Sequence, residues 1–183
     1  MWVMKKIIVI VLVMVVNTVF SQKESKLEKQ FKAEFVFTGF GFSYELPLAK
    51  KWIVDLGAGI GGGVDESESY PSSFNSPAAY FKSEFKYVYN REKRLIKSKS
   101  IISNSGSYIA LQAKYTTKRF SESATDEPSN NAILTDVHWG IQTSLGSNWL
   151  FNFHIGLGIL RDLDNNNGLM SPTLGLKFSY ILF

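Results

Sequence analysis

The stretch from Leu145 to Leu160, LGSNWLFNFHIGLGIL, limits most sharply what this chain can become. Beyond a Gly146-Ser147-Asn148 turn, Trp149, Phe151, Phe153, Ile155, Leu157 and Ile159 fall on one face of an extended strand. Leu150, Asn152, His154, Gly156 and Gly158 fall on the other. A period of two excludes an amphipathic helix, whose apolar positions recur every three to four residues. The run of eleven residues is also long enough to cross a bilayer when tilted.

The same alternation recurs along the chain. Phe31, Ala33, Phe35 and Phe37 oppose Lys32, Glu34, Val36 and Thr38; then the phase flips, and Phe40, Phe42, Tyr44 and Leu46 oppose Gly41, Ser43 and Glu45. A strand cannot change faces without interruption, so a turn or bulge is expected at Gly39. Read as a turn, it divides this stretch into two strands. Pro47-Leu48-Ala49-Lys50-Lys51 reads as the next turn, because proline ends a ladder. Trp52, Val54, Leu56, Ala58 and Ile60 then oppose Ile53, Asp55 and three glycines. Phe81, Phe85, Tyr87 and Tyr89 oppose Tyr80, Lys82, Glu84, Lys86 and Val88. Asn90 to Asn104 is an irregular basic connection that reads as a solvated turn. Ile109, Leu111 and Tyr115 oppose Tyr108, Gln112, Lys114 and Thr116; Val137, Trp139 and Ile141 oppose Asp136, His138, Gly140 and Gln142. In the last strand Leu174, Leu176, Phe178, Tyr180 and Leu182 oppose Thr173, Gly175, Lys177 and Ser179.

Eight strands without a helical pattern between them fit a soluble sandwich, a soluble ligand-binding barrel or a membrane barrel. The bulky face carries too much Phe, Trp, Leu and Ile to fit inside eight strands, whereas the glycine-rich polar face suits a narrow interior. The expected fold is therefore all-β, an eight-stranded antiparallel up-and-down transmembrane β-barrel with its apolar face turned to lipid. With the N-terminus in the periplasm, the long polar segments Gly62 to Pro77, Lys118 to Asn131 and Arg161 to Gly168 become external loops. Tyr44, Trp52, Tyr87, Tyr89, Trp149 and Tyr180 then fall at periplasmic strand ends, as an interfacial aromatic girdle. Trp139 reads as a lipid-facing residue in mid-strand.

Residues 1–21 read as a signal peptide: Lys5 and Lys6 precede the apolar Ile7 to Val16, and Val19-Phe20-Ser21 ends in a small residue. Residues 22–30 form a short polar periplasmic leader, and 31–183 the barrel. Cleavage would remove two lysines from a formal net charge of +4, leaving little bulk charge to attract a partner. Nucleic acid is not an expected partner for an exported chain. The chain has no cysteine, so export brings no disulfide framework.

In its signal peptide ending Phe20-Ser21-Gln22, its Ser43-Tyr44-Glu45 strand followed by Pro47-Leu48, and its aromatic final strand Tyr180-Ile181-Leu182-Phe183, the mature chain resembles a known family. It is similar to the small eight-stranded outer-membrane barrels of OmpA and OmpX type, and to the bacterial outer membrane protein beta-barrel domain proteins. The resemblance implies a monomer in the outer membrane of a Gram-negative cell, in contact with outer-membrane lipid and lipopolysaccharide and inserted by the barrel-insertion machinery. Family members end on an aromatic residue in phase with the lipid-facing set. Strict alternation here puts Phe183 out of phase with Tyr180 and Leu182.

The inward face is expected to carry Lys32, Lys82, Lys86, Lys114 and Lys177 against Glu34, Glu45, Asp55, Glu84 and Asp136, a balanced network of buried ion pairs. His138 and His154 join it as diagonal neighbours on adjacent strands. Two histidines without a ligand motif do not make a metal site, and no cofactor is expected. No serine elbow accompanies either histidine, so no catalytic residue is assigned. The function expected is structural or surface-interactive, with the interior plugged. A porin-like small-solute pore or ligand-binding barrel is the alternative, and a lipid-A-modifying enzyme the third reading.

Overall fold

The computed structural model describes residues 26–36, 39–62, 77–120 and 130–183. Residues 1–21, read as a signal peptide, residues 22–25 of the expected leader, and most of the two longest loops lie outside these residues. The change of phase near Gly39 divides two strands, β1 (Gln30–Val36) and β2 (Gly39–Ala49), paired antiparallel from Gln30 opposite Glu45 to Val36 opposite Gly39. There follow β3 (Trp52–Gly62), β4 (Pro77–Val88), β5 (Gly106–Arg119), β6 (Ala132–Gly146), β7 (Trp149–Asp162) and β8 (Gly168–Ile181). Each pairs antiparallel with the next, and β8 returns to β1 between Lys32 opposite Ile181 and Val36 opposite Lys177. The fold is all-β, a closed up-and-down barrel of eight strands. The closing ladder covers Lys32–Val36 of β1 against Lys177–Ile181 of β8, which joins the first strand to the last.

Two turns differ from the sequence reading. Pro47 lies within β2 opposite Ile53, and the register shifts between Pro47 and Ala49, so the turn itself is only Lys50-Lys51. A bulge tolerates the missing N–H of proline, which lets the ladder run past it. Likewise β6 continues to Gly146, which pairs with Trp149 at φ +98°, a conformation open to glycine at no steric cost. Leu145 is left at the register shift. Asn148 fixes this turn to β8 by donating from Nδ2 to the Ile181 carbonyl at 3.0 Å and accepting the Ile181 N–H at 2.9 Å.

The longest connection at this turn end is ordered. Residues Arg91–Ile96 form a short helix, α1, and Ile102–Asn104 a single 3-10 turn. Arg91 is buried, donating to the carbonyls of Ile101 and Lys26 at 2.9 Å each. Burial pushes its pKa below the ordinary guanidinium value. Asn104, in a left-handed conformation at φ 58°, exchanges two 2.8 Å hydrogen bonds with the backbone of Glu28. Residues 26–29 are thereby strapped beneath the barrel, with Leu27 buried beside Ile53, Val88 and Tyr108. The basic run is thus only partly a solvated turn, and this part of the leader is tied down. Alternation could not show either, because both depend on contacts between segments far apart in sequence.

At the opposite, loop end, the β7–β8 connection is short and built on asparagine and aspartate. Asp162 accepts the Asp164 and Asn165 N–H groups on Oδ1, and Asp164 accepts the Asn131 N–H at 2.9 Å. That backbone bond, with Lys118 beside it, holds the Asp164 carboxyl below the usual carboxylate range.

Inside, several glycines face bulky partners. A Cβ at Gly41 or Gly59 would meet the Tyr80 hydroxyl, one at Gly175 the His154 ring, and one at Gly140 the Tyr108 ring. Replacing Gly140 with valine should therefore displace Tyr108, which is 1% exposed and donates to Asn152 at 2.9 Å. The expected loss is about 1–3 kcal/mol of stability, measured by urea unfolding of the detergent-solubilised barrel.

Candidate functional site

The two faces of the sheet have opposite chemistry, and each is on the unexpected side for a protein in water. Outward stand Phe35, Phe42, Leu56, Phe81, Leu111, Val137 and Phe178, all about half exposed, with Leu157 at 64% and Leu174 at 70%. Inward, Glu34, Glu45 and Asp55 are 0% exposed, and Lys32 and Lys86 1%. The charges at the centre form the candidate site.

Three clusters make it up. At the turn end, Lys32 of β1 and Lys86 of β4 both reach Glu45 of β2 and Asp55 of β3. Lys32 Nζ lies 2.8 Å from Glu45 Oε1 and 3.3 Å from Asp55 Oδ2; Lys86 Nζ lies 3.1 and 2.8 Å from the same atoms. The other oxygen of Glu45 accepts from Asn104 at 2.8 Å and Gln142 at 3.4 Å, so the charges are joined to the 3-10 turn below them. Above lies Glu34, which takes Lys82 at 2.6 Å, Lys177 at 2.7 Å and the Ser43 hydroxyl at 2.6 Å. Lys82 on β4 and Lys177 on β8 therefore meet on β1, which staples strands that are not neighbours.

The third cluster centres on His138. Its Nδ1 lies 2.5 Å from Asp136 Oδ1, and its Nε2 lies 3.0 Å from Glu84 Oε1. A ring with a carboxylate on each nitrogen satisfies both only as the imidazolium. Gln112 donates to the remaining Asp136 oxygen at 2.9 Å, and Glu84 Oε2 lies 3.5 Å from Lys86, joining this cluster to the first. His154 stands against His138 with ring centres 4.4 Å apart. Both nitrogens of His138 are already engaged, so neither is directed at its neighbour.

Lys114 is the exception to the expected balance. It reaches the lumen, but its ammonium lies over the Tyr80 ring, 4.8 Å from the centre, and among the described residues no carboxylate comes within 4.0 Å. With His138 charged, Lys32, Lys82, Lys86, Lys177 and His138 already match the five acids. Counting lysines against acids misses this, because it leaves out the imidazolium.

The lumen is buried at both ends, by Ile53, Val88, Tyr108, Leu150, Asn152 and Gln142 toward the turns and by Ala78, Tyr80, Thr116, Ala132 and Ser171 toward the loops. Lys114 and His154, between them, are half-buried. On the outer surface the six aromatic residues singled out above gather at the turn end. Trp52 contacts Tyr87 at 4.7 Å, Trp149 contacts Tyr180 at 5.2 Å, and Tyr44 pairs with Phe31. Trp139, read as a lipid-facing residue in mid-strand, donates from its indole to the Tyr89 hydroxyl at 2.9 Å and so joins this set. Phe183 joins it too. Regular strand ends at Ile181, alternation lapses, and the exposed Phe183 ring packs 5.3 Å from Phe31.

No protein-family model matches the chain, and neither does any curated protein or solved structure. Its chemistry is therefore argued from the geometry above. Lys86→Met would leave Asp55, Glu45 and Glu84 short of a cation, and should cost about 3–5 kcal/mol in urea unfolding. Adding Asp55→Asn should recover more than half of that loss, a coupling that independent sites would not show.

Proposed function

We propose that this chain is an outer-membrane β-barrel with a structural or surface-interaction role, closed to solutes by its own polar network. One observation carries the reading: the exposed surface is an apolar belt of Phe, Leu, Ile and Val, while the charges are buried inside. Soluble monomers rarely expose continuous apolar patches larger than a few hundred Å². A hydrocarbon environment removes that penalty, and in a closed barrel the strands pair their backbone groups with one another. The aromatic cluster at the turn end supports an interfacial girdle at the periplasmic boundary. Connection lengths favour the same orientation, with two-residue turns Lys50-Lys51 and Ser147-Asn148 at the girdle end. The partners in this reading are outer-membrane lipid, lipopolysaccharide on the external side, and the barrel-insertion machinery during assembly. The outward-turned Phe183 is the aromatic residue offered to that machinery.

Closure to solutes is supported by the cross-lumen ion pairs and by the segment strapped beneath them. The purified protein should give no discrete conductance steps in planar bilayers; steps would favour the pore reading. Fractionated cells should hold it in the outer membrane with a mature chain beginning at Gln22. Single cysteines replacing Asn130 and Ser72, the latter outside the described residues, should label from outside intact cells, and one replacing Ser98 should not. Labelling of Ser98 alone would invert the topology, and recovery of the protein in the soluble periplasm would remove the membrane reading altogether.

A further inference from the structure

Among the described residues, the surplus lysine in the loop-end half of the lumen has no carboxylate partner. Five acids are matched by four lysines and the imidazolium of His138, and each of these cations has a carboxylate within 3.0 Å. Among the described residues Lys114 meets the face of Tyr80 and no acid. A lysine amid protein that lacks a counter-charge is costly, and a methionine would fill the same volume without that cost. Nor does Lys114 escape to bulk water as a surface lysine would, since it is no more than half exposed.

A second unsatisfied group faces the same half. Thr173 of β8 is 8% exposed, and its Oγ1 is buried without a hydrogen-bond partner. Its position is four residues loopward of Lys177, as Lys114 is four residues loopward of Ala110. Its ladder partner is Gly156, with Gly158 next on the same face, so this wall carries little side-chain bulk. Opposite, the Tyr80 hydroxyl reaches across to Gly59 and Gly41, leaving its ring face to Lys114. Below, Lys82 and Lys177 are held by Glu34, and Asp136 by His138 and Gln112, so among the described lumen acids none is free to turn toward Lys114.

We propose that the loop-end half of the lumen is a binding site for a small oxyanion, a carboxylate or phosphate, with Lys114 as its counter-charge and the Thr173 hydroxyl as a donor. An oxyanion there supplies the missing sixth negative charge and accepts from the unpaired hydroxyl. The ion pairs beneath set the floor of the site, which restricts it to small anions. The inference requires only the lumen and goes beyond the membrane role, so it is tested apart from location.

The test is calorimetric titration of the full mature barrel in detergent, at low chloride, with inorganic phosphate and with acetate as separate arms. Saturable binding of at least one probe at a single site is expected; phosphate alone, or acetate alone, identifies the preferred anion class. Lys114→Met should weaken that binding at least tenfold, Thr173→Val should weaken it less, and Lys114→Arg should retain it. Lys97→Met, on the exposed connection beyond α1, should bind as the parent does. Heat-modifiable migration and circular dichroism establish that each variant is folded. Should Lys114→Met fail to fold, the Thr173→Val and Lys114→Arg titrations carry the comparison. Absence of saturable binding of both probes, or undiminished binding by folded Lys114→Met, overturns the proposal.

Discussion

A carboxylate withdrawn from water is tolerated only beside a cation, and in this barrel that constraint reaches across the lumen. Glu34 on β1 is held by Lys82 from β4 and Lys177 from β8, and Asp55 on β3 by Lys32 from β1 and Lys86 from β4. Lys177 and Lys86 reach an acid on the neighbouring strand, but the Lys82–Glu34 and Lys32–Asp55 bridges join strands that are not hydrogen-bonded to one another. The circumference of the barrel must therefore be right before all of these charges are satisfied. Backbone pairing alone would accept neighbouring registers, but a slip by one residue would turn the lysines outward and bring Phe or Leu inward. The charges thus select the register that the ladder merely permits.

Packing follows from the same requirement. Lysine and glutamate need length to meet across the centre, and tyrosine and histidine need room for their rings. Glycine on the facing strands provides it: Gly41 and Gly59 beneath the Tyr80 hydroxyl, Gly140 beneath Tyr108, and Gly175 beneath His154. The interior therefore resembles a salt crystal fitted into notches more than a conventional apolar core. Of its few buried apolar residues, Leu27, Ile53, Val88 and Leu150 sit at the turn end, where the strapped segment meets the lumen, and Ala78 and Ala132 at the loop end. Asn104 belongs to both regions, with Nδ2 donating to Glu45 inside and to Glu28 outside. Its left-handed backbone is held by these bonds, so the strap and the ion pairs support one another.

How much of this is legible in the sequence depends on how local the cause is. Period-two alternation acts between adjacent residues, so strand number and the phase flip near Gly39 can be read directly. Pairing through a tight turn is nearly as local, and the expected diagonal placement of His138 and His154 is the one observed, with His138 opposite Gly156 and Gly140 opposite His154. Which charges meet is set by closure of the whole barrel, and alternation says nothing about it. Lys114 and Lys82 are ladder partners with the same pattern around them, yet one meets Glu34 and the other meets only a ring. The order of the 90–104 segment is hidden for a related reason, since Arg91 and Asn104 donate to backbone carbonyls of residues 26 and 28.

Phe183 shows where local reasoning ends for a physical reason and not for want of information. Alternation holds only while the ladder constrains φ and ψ, and β8 leaves the ladder at Ile181. Beyond that point the chain is steered by what its side chains can reach. The Leu182 N–H still donates to the Phe31 carbonyl and the Phe31 N–H to the Phe183 carbonyl, each at 2.8 Å, so the backbone stays beside β1. Inward, the Phe183 ring would meet a lumen end already occupied by Leu27 and Leu150. Outward it meets the ring of Phe31, which itself stacks on Phe42 at 5.8 Å. A residue that strict phase would turn into an occupied lumen end thus extends the aromatic surface of the turn end.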